Sequence, residues 1–364
     1  MRVYPPQTIV SPLTVVQRER FLPVPGEVTV REGERVEPIQ VIGRASAPAG
    51  FRIVNAARDL GVPASAVSKF LKVKPGDAVK EGQVLAELRG ISALMALLFS
   101  TSSRPCRSPL DGTVTDSGGG RILVEAFPNE VELRANLYGV VARVIAGWGA
   151  MIRVSGALIQ GAWGNGHESY GVLKLMVKSR TRPLRARSID ASCHGAILIG
   201  GSQVDAEALK KAAELQIRGV VIGGILPEAL PAAKAVPFPI IVTEGIGAFP
   251  MCSRIYRLLA GNDGREATLN AHFRSRWGAA RPEIMIPLPA EPEAEGSRPM
   301  DEPLQPGDTV RVIRSPHLGT VGTVKSFPVW VRTTTGAQLP AAKIEPDGSE
   351  DVVLVPLSNL EILR

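Results

Sequence analysis

The chain has 364 residues, enough for two or three domains, and its 45% hydrophobic and 21% charged residues are ordinary for a soluble globular protein. Aromatic residues make up 5%, which argues against a stacking platform for single-stranded nucleic acid, while 37 glycines and 30 prolines predict many turns and short strands. A net charge of +7, with 31 of the 42 basic residues arginine, permits an anionic partner without requiring one.

Cys106, Cys193 and Cys252 lie far apart and form no CxxC pair, so neither a disulfide framework nor a zinc site is expected. The opening stretch "MRVYPPQTIVSPL" lacks the apolar core of a signal peptide. The most apolar run, "ISALMALLF" (91–99), is about half the length of a membrane-spanning helix. The expectation is a cytoplasmic protein with no membrane insertion and no cofactor.

In chain order, the first clear pattern is a gapless repeat: "REGERVEPIQVIGRA" (31–45) aligns with "KPGDAVKEGQVLAEL" (74–88). Gly33 matches Gly76, Val36 matches Val79, Gln40-Val41 match Gln83-Val84, and Ile42 matches Leu85. Each copy reads as a tight turn that needs glycine, followed by a strand. Between the copies, "AARDLGVPASAVSKF" spaces Ala57, Gly61, Val67 and Phe70 like a helix-turn-helix. The repeat places Leu71 and Val73 on a strand, however, which leaves the second helix too short to lie in a major groove. Residues 53–69 are therefore expected as a short helical insertion. "RSPLDGTVTD" (107–116) supplies a further turn and return strand.

These residues resemble the biotinyl/lipoyl-like barrel-sandwich hybrid, in the non-lipoylated version of RnfC-type subunits. The resemblance covers roughly residues 22–128, and the module is expected over residues 1–128. Residues 89–108 contain no lysine, so no carrier arm can be attached there. Neither an FMN-binding glycine signature nor a cysteine cluster for iron–sulfur ligation is present.

Residues 129–188 continue as a β-rich segment. In it, "GAWGNGHESYG" offers His167 and Glu168 as a ligand or acid–base pair. The alternative is a glycine-rich hairpin, because neighbours on a strand point apart. Residues 189–286 alternate strand runs ("AILIGG", "GVVIGG", "FPIIVTEGIG") with short helices, which predicts a small Rossmann-like parallel α/β domain with Ser202 or Asp205 as a helix N-cap. Its strands end in glycine, and Gly200, Gly201, Ser202, Gly223, Gly224, Glu244 and Gly245 form a candidate ligand site at the carboxyl edge. The nucleotide signal is weak, with neither GxGxxG nor a P-loop lysine. Two basic clusters offer an anion or nucleic-acid face: Lys174, Lys178, Arg180, Arg182, Arg185 and Arg187 in the first, Arg274 and Arg276 in the second.

Residues 287–306, rich in proline and acid, read as a linker. Beyond it, "LQPGDTVRVIRSPHLGTVGTVKSF" (304–327) resembles the KOW motif of NusG-like factors and ribosomal proteins, with Arg311, Gly319 and Gly322 at its turns and strands. The resemblance implies an SH3-like barrel over 307–364 that binds RNA or protein partners. Residues 301–364 carry more acid than base, which weighs against a phosphate-driven contact by this module alone.

The expected fold class is thus multidomain, mainly β with an α/β part. The expected function is a non-catalytic adaptor associating with nucleic acid, a ribonucleoprotein or a polymerase complex. Two alternatives stand beside it: a docking subunit of a metabolic or redox assembly, and a small-ligand binder or enzyme using the glycine loops.

Overall fold

The computed structural model describes residues 2–88, 105–273, 280–289, 302–332, 336–349 and 351–364. Strands take up 46% and helices 14%, so the protein is mainly β with several sheets, as the turn-rich composition leads one to expect. No helix among the described residues is long and apolar enough to cross a membrane.

One local device organises three of these sheets. At Gly33 the backbone turns through φ +83°, its N–H donates to the Val141 carbonyl (2.8 Å), and Val141 N–H donates back to the Glu34 carbonyl (2.9 Å). The second copy of the repeat does the same: Gly76 (φ +97°) donates to Val114 (2.7 Å), and Val114 donates to Asp77 (2.9 Å). The hook recurs in the C-terminal part, where Gly307 (φ +94°) donates to Val324 (2.8 Å) and Val324 to Asp308 (2.9 Å). In each case the acidic residue also closes its own turn, Glu34 accepting from Arg31 N–H, Asp77 from Lys74 N–H and Asp308 from Gln305 N–H. A left-handed glycine and a short acceptor one residue later are what this turn requires.

The copies do not share a sheet. Residues of the first pair with the chain beyond 128: Val41–Ala47 runs antiparallel to Asn129–Arg134, and Arg35–Val36 to Gly139–Ile145. The second copy belongs to a four-stranded sheet ordered Phe51–Val54, Arg121–Ala126, Gly112–Gly118, Ala78–Val79, beside the pair Val84–Ala86 and Cys106–Arg107. Between the copies, the helical segment is narrower than the sequence reading has it. Ile53 and Val54 are strand, paired with Leu123 and Ile122. The helix Ala56–Leu60 ends at left-handed Gly61, and Ala64–Phe70 is a 3-10 turn that buries Val67. Leu71 then bridges Ala86, so the chain returns to strand where a recognition helix would have to continue. The hairpin tip at 89–104, the site of the lysine-free stretch, lies outside the described residues.

Glu168–Leu175, Ala196–Ile199, Gly219–Ile225 and Ile240–Ile246 form consecutive parallel strands in an eleven-stranded sheet. The apolar runs of the last three are buried on both faces. Ile197, Ile199, Val221 and Ile241 pack with Ile255 and Leu259 of the helix Ser253–Ala260. Leu198, Val220, Ile222 and Val242 face the helices Ala206–Glu214 and Leu230–Ala235. Asp205 caps the first of these, its carboxylate accepting from Ala208 N–H at 2.8 Å. Each such side chain, fully buried, contributes on the order of 1.5–3 kcal/mol.

The C-terminal part is a six-stranded sheet whose outermost strand comes from the start of the chain. Gln7–Thr8 lies parallel to Leu360–Leu363, and Val10 N–H donates to the Arg364 carbonyl (2.6 Å). The following strand, Val10–Phe21, then runs antiparallel along Gly149–Gln160 of the large sheet. Val321 and Leu363 share a core with Ile199 and Met251. Both flanks of the expected linker are packed: Pro287 ends the strand Glu283–Pro287, and Leu304 is buried with its N–H on the Val3 carbonyl (2.8 Å). Residues 290–301 lie outside the described residues.

Candidate functional site at the carboxyl edge of the parallel strands

The basic run and the glycine loops, separate in sequence, meet in space. After Leu175 the chain folds over the loop that follows Ile199. Ser202 N–H donates to the Arg182 carbonyl (3.0 Å), and Leu184 N–H donates to the Gln203 carbonyl (2.8 Å). Gly201 is what permits this approach: a methyl group there would fall on the Arg182 carbonyl oxygen and lie 2.6 Å from that of Ser179. A second loop closes the edge from the other side. Cβ atoms at Gly223 and Gly224 would meet Phe249 and Gly201 carbonyls at 2.5 and 2.7 Å and Phe249 N at 2.7 Å respectively. Gly200 lies against Ile222 and Leu184, and Ser202 is buried. These glycines therefore serve close backbone packing between the protein's own loops. Gly245 differs, with φ +133° and nothing near its Cβ position.

The six cations of the run divide evenly. Lys174 Nζ donates to Ser192 Oγ (2.7 Å) and its carbonyl (2.8 Å), Arg180 Nη1 to the Met251 carbonyl (3.2 Å), and Arg185 pairs with Asp205 at 2.7 Å. Lys178, Arg182 and Arg187 project from the loop as exposed side chains. Arg274 and Arg276 lie outside the described residues.

Beneath the loops sits a buried charge network that the sequence does not announce. Arg311 donates through Nη1 to Glu244 Oε2 (2.8 Å) and the Thr243 carbonyl (3.3 Å), and through Nε and Nη2 to Glu361 Oε2, the former at 3.0 Å. Thr8 Oγ1 and Arg281 Nη1 donate to Glu361 Oε1, the arginine at 3.0 Å. The Arg311, Glu361 and Glu244 side chains are only 5%, 6% and 7% exposed. Burial would raise the Glu361 pKa, but Arg311, Thr8 and Arg281 outweigh it and hold the carboxyl below its usual range. For Glu244 burial prevails over Arg311 and the Cys252 N–H donor, and its pKa is raised. Two carboxylates share one guanidinium, and the one with the second arginine keeps its charge more easily.

Arg311, one of the three residues that carry the KOW resemblance, is buried and ties the C-terminal sheet to the parallel sheet. The alternation Val310–Arg311–Val312 correctly turns Arg311 away from the valines, but that outward side meets Glu244. Gly319 forms a turn at φ +79°, and Gly322 is wedged against Glu345 and Ile344. In the "GAWGNGHESYG" loop, Glu168 accepts from Arg20 Nη1 (3.0 Å) and Asn136 Nδ2 (2.7 Å), while His167 uses its carbonyl to hold Ala271 N–H (2.9 Å). No protein family matches the chain, and no curated protein does either.

Proposed function

We propose that the chain is a non-catalytic adaptor that associates with nucleic acid, as part of a ribonucleoprotein or polymerase complex, through the loop 178–187. In this reading residues 189–286 are a small Rossmann-like unit, residues 307–364 a KOW-type SH3-like barrel, and residues 1–128 a lipoyl-like module. The observation that carries it is the loop itself: Lys178, Arg182 and Arg187 stand exposed on a segment whose backbone is clamped to Gly201 and Ser202. A clamped display of three cations lowers the ordering cost of a phosphate contact.

The test is fluorescence anisotropy with a single-stranded RNA oligonucleotide across a salt series. Neutralising Lys178, Arg182 and Arg187 to alanine should weaken binding at least about tenfold and lower the slope of log Kd against log salt by roughly 2. Lys343→Ala, on the C-terminal sheet, should leave both unchanged. An unaltered slope in the triple variant would reject the loop as the contact. One observation favours a docking subunit instead: the edge strand Phe51–Val54 exposes Phe51 and Ile53 at 59% and 57%. That reading gains if the full chain shows no salt-dependent RNA binding.

A further inference from the structure

A second surface lies at the other end of the eleven-stranded sheet. Val140 pairs with Arg35 on one side and Arg153 on the other, and Arg153 pairs with Gln17, so these residues form one row across four strands. Their neighbours Val36, Val141, Ile152 and Val154 point into a core, which turns Arg35, Val140 and Arg153 to the opposite face. In the adjacent row Ser155 pairs with Val15, which is 40% exposed, and Leu288 N–H donates to the Ser155 carbonyl (3.0 Å). Tyr138 stands beside them; burial and its hydrogen bond to the Glu266 carboxylate push its phenol up to about 12. Together they line a groove of about 700 Å³. Among the described residues neither Arg35 nor Arg153 has an acidic partner.

We propose that this groove binds an extended acidic peptide of a partner protein, one that presents carboxylate, aliphatic and carboxylate in turn on one face. Two strand spacings separate Arg35 from Arg153 by roughly 10 Å, with Val140 between them. On one face of an extended peptide, residues i, i+2 and i+4 span about 13 Å, which matches two arginine arms splayed around an aliphatic floor. The aliphatic floor of Val15, Val140 and Leu288 disfavours a polyphosphate chain at the same place, while Glu37 on the rim repels either anion and confines the acidic side chains to the two arginines. This surface is independent of the 178–187 loop.

The probe is a fluorescein-labelled peptide Ser-Glu-Ser-Val-Ser-Glu-Ser, titrated with the full chain at low salt, with its Lys-for-Glu counterpart as the control. Wild type should bind the acidic peptide saturably and the basic one not. R35E/R153E, two exposed changes whose fold is checked by circular dichroism and Tm, should lose the acidic peptide at least about tenfold and gain the basic one. The proposal fails if wild type shows no saturable binding, if the charge swap does not exchange the two peptides, or if an RNA oligonucleotide displaces the peptide through the same two arginines.

Discussion

The charge network around Arg311 shows how one residue type can hold two opposite electrostatic positions a few ångströms apart. Glu361 has the lowered pKa, so its stabilising effect is present above the unfolded carboxylate value, near 4.3, and disappears as pH falls through the folded one. Glu244 has the raised pKa, so the folded state keeps its proton longer and wild type loses stability as pH rises from that unfolded value towards the folded one. The two glutamine variants should therefore respond to pH in opposite directions. Relative to wild type, Glu361→Gln becomes more destabilising from pH 4 to pH 7, reaching about 3–5 kcal/mol, the cost of breaking a buried pair. Glu244→Gln becomes relatively less destabilising over the same range. Urea unfolding midpoints at both pH values measure this, and parallel behaviour of the two variants would contradict the assignment.

Elements were legible where a local rule sufficed. Gly33, Gly76 and Gly307 each precede an acid and then a strand, and the turn chemistry alone selects them. The runs "AILIGG" and "GVVIGG" are too apolar for any half-exposed strand, and the parallel sheet buries them on both faces. The glycines that end those strands are ambiguous, because glycine needed for close backbone approach looks the same in sequence as glycine needed for a ligand. Gly201 distinguishes the cases experimentally. Gly201→Ala places a methyl against the Ser179 and Arg182 carbonyls, and overpacking of this kind costs about 1–3 kcal/mol. The variant should also lift the basic loop, seen as faster tryptic cleavage after Arg180 at temperatures well below its Tm; unchanged cleavage with unchanged Tm would mean the loop is not held there.

At the scale of the whole molecule, the modular order read from the sequence is overlaid by contacts that no period-two pattern specifies. Alternation says which face of a strand is apolar, and it is silent on the partner. Val41–Ala47 could pair with any complementary strand, and it pairs with Asn129–Arg134. The same silence hid the place of Gln7–Thr8 in the C-terminal sheet, and the burial of Arg311 against a unit some 70 residues upstream. Because Val321 and Leu363 share a core with the parallel sheet, the C-terminal sheet and that unit should unfold in one calorimetric transition. Arg311→Met, which leaves buried Glu244 without a cation and Glu361 with Arg281 alone, should lower that transition and split it in two. A single transition in the variant would show that apolar contact alone suffices for the coupling.

The bond between Thr8 and Glu361 spans 353 positions of sequence. On a ribosome adding roughly 5–20 residues per second, the opening strand is exposed for roughly 20–70 s before its partner is made. Over that interval an unpaired strand edge is open to wrong neighbours. Whatever shields that strand during synthesis, a nascent-chain chaperone or prompt pairing of Val10–Phe21 with Gly149–Gln160, sets the yield of correctly closed protein.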